Sequence, residues 1–173
     1  MGTKSISVKL SEQEIDRAIK ELANYKQMFL RKVDVFRESV SAAIAKQAQS
    51  GFNGAVVDDL LEGGKKPADV NVTVNHRGTV TTVIANGEDA VWVEFGAGVY
   101  HNGAEGSSPH PKGTTLGFTI GGYGKGLGKK ETWGFFEDGQ LFFTHGTPMR
   151  MPMERAFLSV CSEISQIARK VFG

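Results

Sequence analysis

The chain has 173 residues, 40% of them hydrophobic and 23% charged, with a formal net charge of +1. That balance fits one globular domain able to bury a core without disulfides or metals, and it excludes a global electrostatic pull toward nucleic acid or an anionic membrane. A single cysteine, Cys161, excludes an intrachain disulfide and points to a reducing compartment; its apolar helical surroundings predict a buried packing residue.

The first residues, Met1-Gly2-Thr3-Lys4-Ser5-Ile6, lack the apolar segment of a signal peptide. No apolar run reaches membrane-spanning length. The expected site of synthesis is the cytosol, with the protein staying there or leaving inside a particle.

Ser11-Glu12-Gln13-Glu14 reads as a capping box that opens a helix. Ile15, Ile19, Leu22, Phe29, Val33, Phe36, Val40 and Ala43 then follow at steps of four and three, interrupted only by Lys26. This heptad stripe predicts one long helix to about Gln49, on the order of 55 Å at about 1.5 Å per residue. Such a helix outruns a compact domain, so part of its stripe is expected to serve a neighbouring molecule. A connector over 51–69 is expected to add at most one helical turn, from Val57 to Leu61, before Gly63-Gly64 and Pro67.

The period then changes to two. Val70, Val72 and Val74, then Val80, Thr82 and Ile84, then Val91, Val93 and Phe95 predict three antiparallel strands. Asn75-His76-Arg77-Gly78 supplies the first turn and Asn86-Gly87 the second. From Gly96 to Lys130 glycine is dense and Pro109-His110-Pro111 breaks regular structure, which predicts a flexible loop holding at most one short strand at Leu116, Phe118 and Ile120. Asp138-Gly139 marks a second hairpin, and its aromatics are expected in the core. Pro152 opens a last helix whose core stripe is read as Met153, Phe157, Val160, Ile164, Ile167 and Val171, packing on the sheet. The expected whole is a single α+β domain, 1–173. It comprises a long helix at 10–50, a β-meander at 70–95, a loop at 96–130, a hairpin at 131–145 and a helix at 150–172.

Motifs for chemistry are weak. The run Gly121 to Lys130 fails as a P-loop, because Tyr123 stands where glycine is needed and Lys130 where serine or threonine is needed. No histidine pair has zinc-protease spacing and no cysteine pair supports structural zinc. Glu94, at a strand end, is expected to be exposed or paired with arginine. Two rival classes remain open. A metal-dependent hydrolase would use Glu94, His101, His110 and His145, and a small nucleic-acid-binding module would use Lys125, Lys129 and Lys130. Catalytic residues, metal and cofactor are expected to be absent.

Val91-Trp92-Val93-Glu94-Phe95-Gly96-Ala97-Gly98, the glycine-rich stretch with Pro109-His110-Pro111, Trp133-Gly134-Phe135-Phe136, and His145-Gly146-Thr147-Pro148-Met149-Arg150-Met151-Pro152-Met153 entering a helix form an ordered set. From about residue 11 to the end, this set resembles the tail-completion or neck-protein family of long-tailed phages and prophages. The resemblance implies an α+β fold, with helices at both ends packed on an antiparallel sheet. It also implies a ring of subunits at the head–tail junction and no enzymatic activity. The implied partners are further copies of the chain and connector, stopper or tail-terminator proteins. No membrane partner is implied, and DNA would be met only through the basic loop. By motif match, Glu94, Phe95, Gly96 and Gly98 shape the strand end, while Pro148 and Pro152 fix the helix entry. Met149, Met151 and Met153 stand where the family favours bulkier aromatics or leucine. The subunit contact is placed on Ile15, Ile19 and Leu22, nearest the free end of the long helix.

Overall fold

A computed structural model describes residues 11–59, 63–96, 110, 112, 115 and 132–173. In chain order these form α1 (Glu12–Asn53), β1 (Val56–Asp58), β2 (Lys65–Pro67), β3 (Asn71–Arg77), β4 (Val80–Asn86), α2 (Ala90–Phe95), β5 (Trp133–Glu137), β6 (Gln140–Thr144) and α3 (Pro152–Phe172). The fold is α+β, with long terminal helices and small antiparallel sheets.

The Ser11 hydroxyl accepts from the Glu14 backbone N–H at 3.4 Å, which starts α1 as its sequence predicts. The helix then continues for 42 residues to Asn53, about 63 Å and one turn beyond the expected end. α3 lies antiparallel along its C-terminal part. A Cβ built on Gly51 would stand 2.8 Å from the Pro152 Cβ, and at the other end the Phe172 ring meets Phe29 at 5.9 Å and Phe36 at 5.8 Å between centroids. α3 therefore packs chiefly on α1 rather than on a sheet.

The β3–β4 hairpin also lies along α1. The Gln49 side-chain amide donates to the Val70 carbonyl at 2.9 Å and accepts from the Val72 N–H at 2.7 Å, standing in for a neighbouring strand. Near the turn, Arg37 Nη1 donates to the Gly78 carbonyl at 2.7 Å. The buried core gathers at this end of the molecule, from Phe52, Ala55, Val57, Val70, Ala90 and Val93.

Several expectations are corrected. The meander has two strands, because Val91–Phe95 belongs to α2. Asn86 closes the β3–β4 ladder opposite Asn71, and Gly87 takes φ +135 rather than forming a hairpin turn. A Cβ there would meet the Asp69 carbonyl oxygen, so only glycine fits. The connector contains a small β1–β2 ladder instead of a helical turn. Three separate two-stranded sheets thus replace the expected meander and hairpin. Asp138-Gly139 does behave as predicted, with φ of +49 and +80 at the turn between β5 and β6.

α3 is also rotated from its expected stripe. Ala156 and Val160 are buried, whereas Phe157 is 48% exposed, Ile164 is 39% exposed and Cys161 is exposed rather than packed. Among the described residues, no helix is long and apolar enough to cross a membrane.

Candidate functional site

Two features stand out, a buried polar junction and an uncovered apolar surface. The junction forms because α2 is a helix. In a strand, Val93 and Glu94 would face opposite ways. The helical turn instead places Val93 in the core and aims Glu94 at the start of α3, with both residues buried.

Glu94 Oε2 accepts from the Met153 N–H at 2.8 Å, and Oε1 accepts from the Glu154 N–H at 3.0 Å. These are N–H groups of the first turn of α3, which have no partner inside the helix. A buried carboxylate satisfies both and sits at the positive end of the helix dipole. Oε1 also meets His110 Nε2 at 3.1 Å. On its other side, His110 Nδ1 accepts from the Lys112 N–H at 3.0 Å. Because Nδ1 accepts, the imidazole is the neutral tautomer that donates from Nε2 to Glu94. The Phe95 ring stacks obliquely on His110 at 4.4 Å between centroids. Lys112 Nζ lies 3.6 Å from the Glu154 carboxylate across the same junction.

Backbone geometry completes the junction. Gly96 ends α2 with φ +77, and a Cβ there would lie 3.0 Å from the Met149 Cβ. The Arg150 N–H donates to the Val93 carbonyl at 2.9 Å, stitching the approach to α3 onto α2. Met151 precedes α3 with φ +52 and ψ +48, a left-handed conformation costing on the order of 1–3 kcal/mol in a non-glycine residue. That turn delivers the helix N-terminus to Glu94. Pro152, buried, occupies the first helical turn, where no N–H is missed.

The residues singled out from the sequence divide accordingly. Glu94, Phe95, Gly96 and Pro152 come together, while Pro148 is exposed on the approach to α3. Glu94 is neither exposed nor paired with arginine. Its partner is His110. His145 sits elsewhere, where its Nδ1 is 3.3 Å from Asp58 Oδ2. Asp58 also accepts from the Thr144 hydroxyl and the His145 N–H. Glu94, His110 and His145 therefore do not form one cluster, and among the described residues no three such groups converge as a metal site. Gly98, His101, Lys125, Lys129, Lys130 and the strand at Leu116, Phe118 and Ile120 lie outside the described residues. The Glu94–His110 pairing joins residues 16 positions apart in the chain, beyond the reach of local sequence patterns. The only local hint was the helical i, i+3, i+4 spacing of Ala90, Val93 and Glu94.

The second feature is the free end of α1. Ile15, Ile19 and Leu22 are 44%, 58% and 56% exposed. α3 reaches only as far as Phe29 on α1, so residues 12–28 run about 25 Å past it. Phe136 and Phe143, expected in the core, are exposed on the β5–β6 hairpin. Comparisons with family models, with curated proteins and with solved structures found no match to this chain.

Proposed function

We propose that the chain is a non-enzymatic structural protein of a long-tailed phage, assembling as a ring at the neck and acting in tail completion or head–tail joining. The observation that carries this reading is the free end of α1. Ile15, Ile19 and Leu22 form a stripe at helical spacing on a segment that outruns α3. Burying such a side chain is worth about 1.5–3 kcal/mol, and subunit association is the direct way to gain it. The partners are further copies of the chain and the connector, stopper or tail-terminator proteins of the junction. The place of action is the host cytoplasm during assembly and then the virion.

The use of Glu94 and His110 supports a structural role. Both Glu94 oxygens and both His110 nitrogens are occupied by hydrogen bonds that fasten the α2–α3 junction. A general base or metal ligand needs a lone pair directed at substrate or ion.

Ile19→Asp tests the proposal. The wild-type chain is expected to sediment as an oligomer and to appear as rings by electron microscopy. The variant is expected to sediment as a monomer with an unchanged circular dichroism spectrum. Full assembly of Ile19→Asp, or its unfolding, would remove the free helix end from the interface.

A further inference from the structure

The two edges of the β3–β4 hairpin differ. In an antiparallel pair, alternate residues turn both backbone groups toward the partner strand and the others turn them away. The Val70 carbonyl and the Val72 N–H are bonded to the Gln49 side chain, so the even-numbered residues of β3 face outward on that edge. The register then turns Thr81, Val83 and Ala85 of β4 outward on the opposite edge. Their backbone N–H and C=O groups have no hydrogen-bond partner among the described residues.

Free edges are commonly blunted by a charge, a proline or a bulge. β4 reads Val80-Thr81-Thr82-Val83-Ile84-Ala85-Asn86 and pairs residue for residue with β3, so it carries none of these. Such an edge accepts one more strand. The hairpin also dictates what that strand must look like. Val72, Val74, Thr81, Val83 and Ala85 are half-buried on the side toward α1, while Asn71, Thr73, Asn75, Thr82 and Asn86 are exposed on the other. A strand continuing the sheet needs the same division.

Residues 5–10, which lie outside the described residues, have it in their sequence. Ile6, Val8 and Leu10 alternate with Ser5, Ser7 and Lys9. The rival within the chain is the alternating run Leu116-Gly117-Phe118-Thr119-Ile120, where Gly117 weakens a strand. Directly opposite residues share a face. In antiparallel addition Ile6, Val8 and Leu10 therefore stand opposite Thr81, Val83 and Ala85, and their N–H groups are the ones that meet the edge.

Reach decides which copy supplies the segment. Arg37 is bonded at the hairpin turn through Gly78, and Gln49 at the opposite end, so β4 lies beside the stretch of α1 between them. Arg37 is 26 residues (37 minus 11) beyond the Ser11 cap, about 39 Å along the helix. Residues 5–10 span at most about 22 Å fully extended. They fall short of their own β4 edge.

We infer that residues 5–10 of one subunit add as a third strand to the β4 edge of the next. The occupant of the edge is thus a second copy of this chain. The contact is heterologous: each subunit donates one strand and accepts another, and the series closes into a ring or continues as a filament. The donated strand leads directly into the free end of α1, so the joint carries that end to the accepting subunit. The inference rests on the ring reading and adds to it the identity and direction of the joint.

A proline variant and hydrogen exchange across β4 test it. Val8→Pro removes a backbone donor and lies outside α1. It is expected to sediment as a monomer with an unchanged circular dichroism spectrum, at a concentration where the wild type assembles. Val8→Thr keeps the N–H and is expected to assemble. The Thr81, Val83 and Ala85 amides are expected to exchange freely in Val8→Pro and about tenfold or more slowly in the wild-type assembly. If the wild type assembles with these amides unprotected, or Val8→Pro assembles like it, the donated strand is overturned and the ring reading survives. Protection of these amides already in the Val8→Pro monomer gives the edge to residues 116–120 of the same chain, and unfolding of Val8→Pro makes residues 5–10 part of their own subunit; either overturns the donated strand alone. A wild-type chain that stays monomeric at hundreds of micromolar overturns both.

Discussion

From Phe36 to Asn53, α1 is enclosed. α3 lies along it, the β3–β4 hairpin is held by Gln49 and Arg37, and Ala48 and Phe52 are buried to 1% exposure or less. From Glu12 to Met28 the same helix, with the same steps of four and three, leaves Ile15, Ile19, Leu22 and Met28 between 44% and 58% exposed. Identical patterning has opposite outcomes because α3 is 21 residues long and α1 is twice that. One part of the stripe is covered within the subunit; the other is left exposed.

The largest effect that separates the halves is expected from the enclosed part. Val160, on the face of α3 turned inward, is 1% exposed. Val160→Asp would bury an unpaired charge, and a loss of about 3–5 kcal/mol should unfold the subunit, read as a collapsed denaturant midpoint. Native-like stability of this variant would mean that the α1–α3 interface is not the core.

Glu94→Ala is expected to come next, at about 2–3 kcal/mol, since two helix N–H groups and His110 lose a charged acceptor. Urea unfolding monitored by circular dichroism measures it. Glu94→Gln keeps one acceptor oxygen and should lose less. A cost below about 0.5 kcal/mol for Glu94→Ala would show that the start of α3 is secured elsewhere.

The smallest effect belongs to the free end. Ile19→Asp should change monomer stability by no more than about 0.5 kcal/mol, the range of ordinary surface substitutions. A cost comparable to Val160→Asp would erase the distinction between the halves.

Local signals in the sequence carried far in this molecule. The Ser11 cap, the reach of α1, the β3 and β4 strands, the type I′ turn at Asp138-Gly139 and the Pro152 start of α3 all follow from interactions within a few residues. Val91–Phe95 misleads because alternating β-branched and aromatic residues favour a strand, and a six-residue segment is too short for its own periodicity to decide. What decides is distant: Asp69 pressing on Gly87, Arg150 bonding to Val93, and the first turn of α3 offering two N–H groups to Glu94. The phase of α3 is misread for a related reason. Met153, Phe157, Val160 and Ile164 fit a heptad, but Phe157, Leu158, Cys161 and Ile164 form an alternative flank, and both are apolar.

By itself, then, the sequence determined which segments are helical or extended over long stretches, because hydrophobic period, capping and turn chemistry are local properties of the chain. It also determined that α1 would outrun a domain of this size, since a helix rises about 1.5 Å for each residue whatever surrounds it. Only the tertiary structure decided which face of each helix is covered, where a short ambiguous segment becomes α2, and that Glu94, His110 and the start of α3 meet. Those outcomes depend on contacts between residues far apart in the chain, and a carboxylate becomes a junction only when another element's unpaired N–H groups are carried to it.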